Sequence, residues 1–228
     1  DNDEMRAQVA RWAGELSFDP ENRIPAMLRD SSPRVRLMAG IACSKLKSTN
    51  ALTALEELIV STENKDPILR HSGIMGLVGV ATLRQLEDFV DHPSEAMRIA
   101  AVIALRHLGG IKELTKFIKD DSPQVMSDAI RAIYDEAQTQ TFLDHPKSLS
   151  FIAEALIPHH PPPVNVRAIA ANRRLGTIVS AKRISTFLAN PNLSHNLRIQ
   201  GLYALKSWSK DILEGKHSPQ EYIFDKLN

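Results

Sequence analysis

The sequence predicts an all-α fold in which about six helix pairs stack as an α-solenoid, and three observations support this prediction. An apolar stripe with helical spacing recurs along the chain, and prolines stand near the start of most copies. Successive copies lie 28 to 39 residues apart, which is the length of a two-helix unit. Aromatic residues make up only 5% of the chain, as suits closely packed helices. We therefore expect a right-handed superhelix whose units bury their apolar faces against one another.

The clearest copy of this pattern lies in residues 91–109. With Arg98 taken as position zero, the residues at +3, +4, +7 and +10 are apolar and share one face of an α-helix. The proline before this helix and the glycine after it predict its limits. The four apolar residues are Ala101, Val102, Leu105 and Leu108. The positions equivalent to Arg98 in the other copies are Arg36, Arg70, Met126, Asn165 and Arg198.

Each of these inner helices follows a shorter predicted outer helix. The outer helices are expected at 23–28, 52–59, 83–90, 111–118, 149–157 and 181–188. Inner helices are expected at 33–46, 66–77 and 197–208, and a further inner helix fits best at 164–175. A longer connection is expected at 135–146, and the spacing of Met5, Val9 and Trp12 predicts a further helix at the start. We assign residues 1–212 to the solenoid and 213–228 to a C-terminal cap or extension.

Two glycines fall inside one predicted inner helix. Gly73 and Gly76 would each cost on the order of 1 kcal/mol as helix residues in isolation. We therefore expect them where two helices approach closely.

Aspartate and proline recur a few residues before the aligned arginines. Asp30 lies six residues before Arg36, and Asp91 lies seven before Arg98. This recurrence resembles the HEAT-repeat pattern over roughly residues 20–210. The resemblance implies that such side chains pair between neighbouring units as a ladder, formed here by Asp30, Arg36, Asp66, Arg70, Asp91, Arg98 and Arg198. A row of arginines could also bind an anionic ligand, but the nearby aspartates favour the internal ladder.

The amino-acid sequences of four segments support a narrower resemblance. Residues 30–36, 66–71, 92–98 and 172–176 are similar to the helical segment of certain large exported bacterial proteins. Those proteins combine a sorbosone-dehydrogenase-like β-propeller with a c-type cytochrome that carries CxxCH. This chain has neither the propeller pattern nor CxxCH, so any redox chemistry would lie outside it. The resemblance implies a helical spacer or docking domain in an extracytoplasmic protein, periplasmic or secreted.

The charge of the chain is distributed unevenly. Its formal net charge is only +1, yet no acidic residue occurs between Glu154 and Asp211, a segment that contains eight Lys and Arg residues. One interpretation is a docking surface there for an acidic protein, a phosphate-rich polymer or an anionic glycan. We favour the alternative, in which these cations are solvated and balanced by acidic groups of the N-terminal repeats. The candidate surface residues are Arg167, Arg173, Arg174, Lys182 and Arg183.

Motifs that carry chemistry are weak in this sequence. Cys43 is the single cysteine and falls in a predicted buried stripe, where a thiol is an inert small hydrophobe. Ser44 and Lys47 match SxxK without its companion motifs, and the pair His159 and His160 lacks further metal ligands at a recognised spacing. We expect no catalytic, cofactor or metal site. No apolar run is long enough to span a bilayer, and the chain begins with neither methionine nor a signal peptide, so we expect a processed protein or an excised piece.

These observations favour a non-enzymatic scaffold that presents a curved helical surface to a protein partner or to neighbouring domains of a larger polypeptide. Nucleic-acid or other polyanion binding through the basic C-terminal repeats is the alternative, although we expect nucleic acid less than protein. A third possibility is that the chain assists a redox reaction as one part of a dehydrogenase and cytochrome polypeptide. The sequence does not indicate an oligomeric state.

Overall fold

The prediction of an all-α fold is confirmed. The computed structural model describes residues 2–139 and 146–208, and these residues form helices and short connections without any strand. The chain divides into two compact units, Asp1–Val125 and Met126–Asn228. The cap or extension expected at 213–228 lies outside the described residues.

The first unit contains the expected alternation of short outer and longer inner helices. Short 3₁₀ helices occur at Ile24–Arg29, Thr49–Ala51 and Asp88–Asp91. The α-helices are α1 (Asp3–Leu16), α2 (Pro33–Leu46), α3 (Leu52–Thr62), α4 (Pro67–Val80), α5 (Leu83–Glu87), α6 (Glu95–His107) and α7 (Ile111–Phe117).

The second unit continues the alternation. Its helices are α8 (Pro123–Thr139), which begins at the end of the first unit, α9 (Pro146–Glu154), α10 (Pro162–Leu175), α11 (Ile178–Leu188) and α12 (His195–Lys206). Prolines occupy the first turn of α10, where a missing N–H costs no helical hydrogen bond.

Most helix limits differ from the prediction by a few residues, and three elements show the clearest differences. The first outer element, Ile24–Arg29, is a 3₁₀ helix and not an α-helix; its entry is held by Asp19, whose carboxylate accepts from the N–H groups of Arg23 and Ile24. The α5 helix stops early, at Glu87, and continues as a 3₁₀ helix to Asp91, shortly before Pro93. The α8 helix runs further than expected, to Thr139, since neither glycine nor proline interrupts the sequence there.

The core of the first unit is a row of inner helices in which α1 packs on α2, α2 on α4 and α4 on α6. Small residues make these contacts close. A Cβ added to Gly14 would lie 2.9 Å from Cα of Ala42, and one added to Gly76 would lie 3.3 Å from the carbonyl oxygen of Gly40. The expected close approach at Gly73 and Gly76 is confirmed, because a Cβ on either would clash with the outer helix α3.

The predicted apolar face of α6 is buried except at its end. Ala101, Val102 and Leu105 are almost fully buried, but Leu108 is 37% exposed. The helix ends at His107, and Gly109 then adopts a left-handed conformation with φ of +70°. Leu108 therefore follows the helix and does not continue its buried face.

Candidate functional site

Arg98 connects its own turn to the turn of the next repeat. Its Nε and Nη2 donate to Asp120 at 2.8 and 3.2 Å, and its Nη1 donates to the carbonyl oxygen of His92 at 2.8 Å. The Asp120 carboxylate also accepts from the N–H of Ser122 at 2.8 Å. Both charged side chains are largely buried, with 16% of Arg98 and 4% of Asp120 exposed. This bidentate geometry is the strong form of an arginine–carboxylate pair.

A similar pair occurs at the start of the chain. Arg6 donates from Nε and Nη2 to Asp30 at 2.8 and 3.0 Å. The hydrogen bonds from Arg6 and from the Ser32 N–H, in that order, hold the pKa of Asp30 below its usual value. Sequence reasoning did not find Arg6, although its 24-residue distance from Asp30 is close to the 22 residues that separate Arg98 from Asp120.

The other ladder residues of the first unit are placed differently. The structure joins Asp30 to Arg6, while Nε of Arg36 is buried without a hydrogen-bond partner among the described residues. Asp66 caps its own helix by accepting from the N–H groups at 68 and 69. Arg70 is half-buried. Asp91 is exposed and lines the cavity that also contains Arg98 and Asp120.

In the second unit two of the equivalent positions, Asn165 and Arg198, donate to carbonyl groups of the preceding turn, whereas Met126 has no donor in its side chain. Arg198 donates to the carbonyl oxygens of Leu188 and Asn190 at 3.2 and 3.1 Å. Asn165 donates to the carbonyl of His160 at 3.0 Å and accepts from the N–H of Ile157. The shorter amide of Asn165 thus makes the same kind of contact with backbone carbonyl groups as Arg198.

The structure places the five candidate cations of the basic segment in different local surroundings. Arg173 and Arg174 line a cavity of about 280 Å³, whereas the other three residues do not line it. Arg183 is half-buried and donates to Oδ1 of Asn172 at 3.1 Å, and Arg167 donates to the carbonyl of Pro163. Lys182 is exposed on α11.

The exposure of an apolar stripe on α1 is the feature that sequence reasoning missed. Its members recur at intervals of four, three and four residues, and they are Met5, Val9, Trp12 and Leu16, exposed by 65, 57, 58 and 67%. The opposite side of the helix is formed by small residues that are buried. Sequence periodicity located the stripe but could not show that the small residues, and not the large ones, face α2.

Three charged residues of α1 are paired with residues outside the helix. Arg34 donates to Glu4, Arg6 to Asp30, and Lys45 to Glu15 at 2.7 Å. The hydrogen bond from Lys45 is the main cause that lowers the pKa of Glu15. These pairs join α1 to α2 or to the turn before it, and the stripe itself consists of apolar, uncharged side chains. We call this stripe the α1 face (Met5, Val9, Trp12 and Leu16).

The described residues contain little that resembles reactive chemistry. Within them, no three His, Cys, Asp or Glu side chains lie close enough together to hold a metal ion. His160 donates from Nδ1 to the carbonyl of Ala155 at 2.9 Å, which is a structural contact. Lys47 ends α2 in a left-handed conformation. In the same part of the chain, no helix has both the length and the apolar character required to cross a membrane.

Cys43 is buried, as predicted, and burial raises the pKa of its thiol to about 12. Because only the thiolate attacks electrophiles, we expect the native protein to resist a maleimide reagent at pH 8. After unfolding in urea the pKa falls to about 8.5, and labelling becomes rapid. Mass spectrometry of the labelled protein measures this difference, and fast labelling of the native protein would contradict the buried placement.

Three comparisons with known proteins place the chain beside helical repeat sequences only in its N-terminal part. Residues 1–78 match the family model of HEAT repeats. No curated protein sequence matches the chain. The complex of CpcE and CpcF of phycocyanin lyase from Nostoc sp. PCC7120 is similar at 18% identity with a TM-score of 0.40, covering 94% of this chain and 90% of that chain. Human deoxyhypusine hydroxylase in complex with glycerol is similar at 15% identity with a TM-score of 0.41, covering 94% of this chain and 81% of that chain.

Proposed function

We propose that this helical repeat chain is a non-enzymatic scaffold that docks a protein partner on the α1 face. The observation that carries the proposal is the exposure of four large apolar side chains in one stripe, because exposed apolar patches rimmed by polar groups are typical of protein contacts. The occupant we propose is one α-helix of the partner protein.

The arrangement of the first unit supports a helical occupant. Within the row α1, α2, α4 and α6, each helix is covered by the next, and α1 is the first member. The intervals of four, three and four residues along the α1 face are those of a coiled-coil seam, whose side chains fit between those of a facing helix.

The charged residues of α1 indicate which kind of partner helix would fit the α1 face. Because Glu4, Arg6 and Glu15 are already paired with α2 or the turn before it, the α1 face offers few free charges to a partner. We therefore propose an occupant with an apolar stripe and neutral flanks, which would bury Trp12 at the centre of the contact.

Trp12 provides the test, because the chain contains only two tryptophans and Trp208 is buried. In the Trp208→Phe variant we expect the emission of Trp12 to shift to shorter wavelength when a synthetic helical peptide with a leucine seam is added. A scrambled peptide of the same composition is the control, and Val9→Glu should abolish the shift. Equal shifts with both peptides, no shift at all, or self-association of the protein without peptide would each contradict the proposed occupant.

A finer proposal is that the partner is a neighbouring domain of an exported dehydrogenase and cytochrome polypeptide. This proposal is supported by the sequence resemblance of four segments, 30–36, 66–71, 92–98 and 172–176. The gene sequence tests it: a propeller pattern upstream and a CxxCH motif downstream would support the larger polypeptide and its extracytoplasmic location, whereas stop codons at both ends of this segment would contradict it.

A further inference from the structure

We propose that the cavity lined by α8, α10 and α12 in the second unit binds an acidic peptide segment. This site is separate from the α1 face and goes beyond the proposed function. The cavity measures about 280 Å³, near the lower limit of ligand pockets, so it fits a short segment with one or two inserted side chains.

The lining combines an apolar floor with a cationic and aromatic rim. Val166, Ile169 and Ala170 of α10 supply apolar surface. Arg173 and Arg174 end the same helix, and Gln200 and Tyr203 of α12 and Tyr134 of α8 complete the rim. Apolar surface beside convergent donors suits a ligand that carries a carboxylate next to an apolar side chain.

The positive charge of Arg173 is not balanced by the part of the lining that the structure describes. No acidic residue lines the cavity among those residues, and none occurs between Glu154 and Asp211 in the sequence. Arg173 is exposed and makes no ion pair within the described part of the chain. A carboxylate that entered the cavity would therefore meet a guanidinium that is not already neutralised.

The rim is held in place by contacts that leave the cavity open. The guanidinium of Arg174 lies over the ring of Tyr134 at 5.7 Å from its centroid, a cation–π distance. The indole N–H of Trp208, which is 9% exposed, donates to the carbonyl of Arg173 at 3.0 Å and ties the end of α10 to the residues after α12. Tyr203 remains 66% exposed and offers its ring to an incoming side chain.

The presence of Arg173 and Arg174 in the last turn of α10 has a simpler explanation than ligand binding, since cations there interact favourably with the helix dipole. That explanation accounts for Arg173 and Arg174 but not for the cavity beside them. It also leaves the exposed ring of Tyr203 and the amide of Gln200 at the same rim without a reason.

The distribution of cations favours a peptide over a nucleic acid. A duplex gains affinity from a row of phosphate contacts, often six to ten. The structure places only Arg173 and Arg174 at the cavity, while Arg167 and Arg183 are engaged with other groups of the second unit. A short acidic peptide needs fewer such contacts, and Arg173 supplies one.

Fluorescence anisotropy tests the proposal. The probe is a fluorescein-labelled peptide of alternating aspartate and phenylalanine, and its control carries asparagine in place of aspartate. We expect the acidic peptide to bind at least about ten-fold more tightly than the control, and added salt to weaken it.

Substitutions at the cavity and outside it show where the acidic peptide binds. Arg173→Gln and Tyr203→Ala should each weaken binding about ten-fold, whereas Lys182→Gln, which removes one exposed charge outside the cavity, should change it by less than about twofold. Circular dichroism checks that the variants fold. Val9→Glu should bind the peptide like the wild type, so failure at this cavity is distinguishable from failure at the α1 face.

Three results would overturn the proposal. The first is no binding of the acidic peptide, and the second is equal weakening by Lys182→Gln, which would indicate bulk charge alone. The third is tighter binding of a random DNA duplex than of the peptide, which would make this segment a polyanion surface.

Discussion

Gly79→Ala is expected to destabilise the first unit by about 2 kcal/mol, although alanine is the better helix former by about 1 kcal/mol. A Cβ on Gly79 would lie well inside van der Waals contact with the backbone Cα and carbonyl oxygen of Ser44. Backbone atoms cannot rotate away as side chains do, so α2 and α4 would have to separate. The loss of packing between the two helices then outweighs the gain in helix propensity.

Gly201→Ala is the matched control for this prediction. Its Cβ would meet only the side chain of Leu188, with the nearest atom, Cδ2, at 2.7 Å, and that flexible end can move. We expect a change close to zero, because propensity and crowding nearly cancel. Urea denaturation followed by circular dichroism measures both variants, and equal stability of the two would contradict the close α2–α4 contact.

Arg98→Ala is expected to destabilise the protein by about 2–3 kcal/mol. The substitution removes both hydrogen bonds to Asp120 and one to the carbonyl of His92. Asp120 would remain buried and charged, with the N–H of Ser122 as its remaining donor. The uncompensated carboxylate, more than the lost attraction, accounts for the cost.

Arg29→Ala is the control, because Arg29 is 54% exposed and pairs with Glu57, which is 51% exposed. Exposed pairs contribute little since water screens them, so we expect the melting temperature to stay within error of the wild type. Arg183 is a poorer control, as it donates to the buried Asn172. Similar losses for Arg98→Ala and Arg29→Ala would show that the pair with Asp120 does not anchor the turn.

Helix positions were predictable from the sequence because their signals are local. The periodic stripe and the proline and glycine at its ends located α6, and the same pattern located α2 and α4. Pairing was less predictable, since it depends on which turns meet. Asp30 stands six residues before Arg36 in the sequence, yet it lies beside Arg6 in the fold.

The candidate sites depended even more on tertiary structure. Sequence reasoning selected five basic residues as one surface, but helical geometry places Arg173 and Arg174 at the cavity and Lys182 outside it. Tyr134 joins the same cavity although it is 39 residues distant from Arg173 in the chain. No local pattern links such residues, because their contact follows from the packing of whole helices.

By itself the sequence determined that the chain forms helices in pairs, since hydrogen bonding and apolar periodicity act over a few residues. Only the tertiary structure decided which face of each helix is covered. On α1 the small residues Ala7, Ala10 and Gly14 allow close approach to α2, so they are buried and the stripe that includes Trp12 is left exposed. The close packing of the two helix backbones, rather than the hydrophobicity of single side chains, therefore determines which face of α1 is buried.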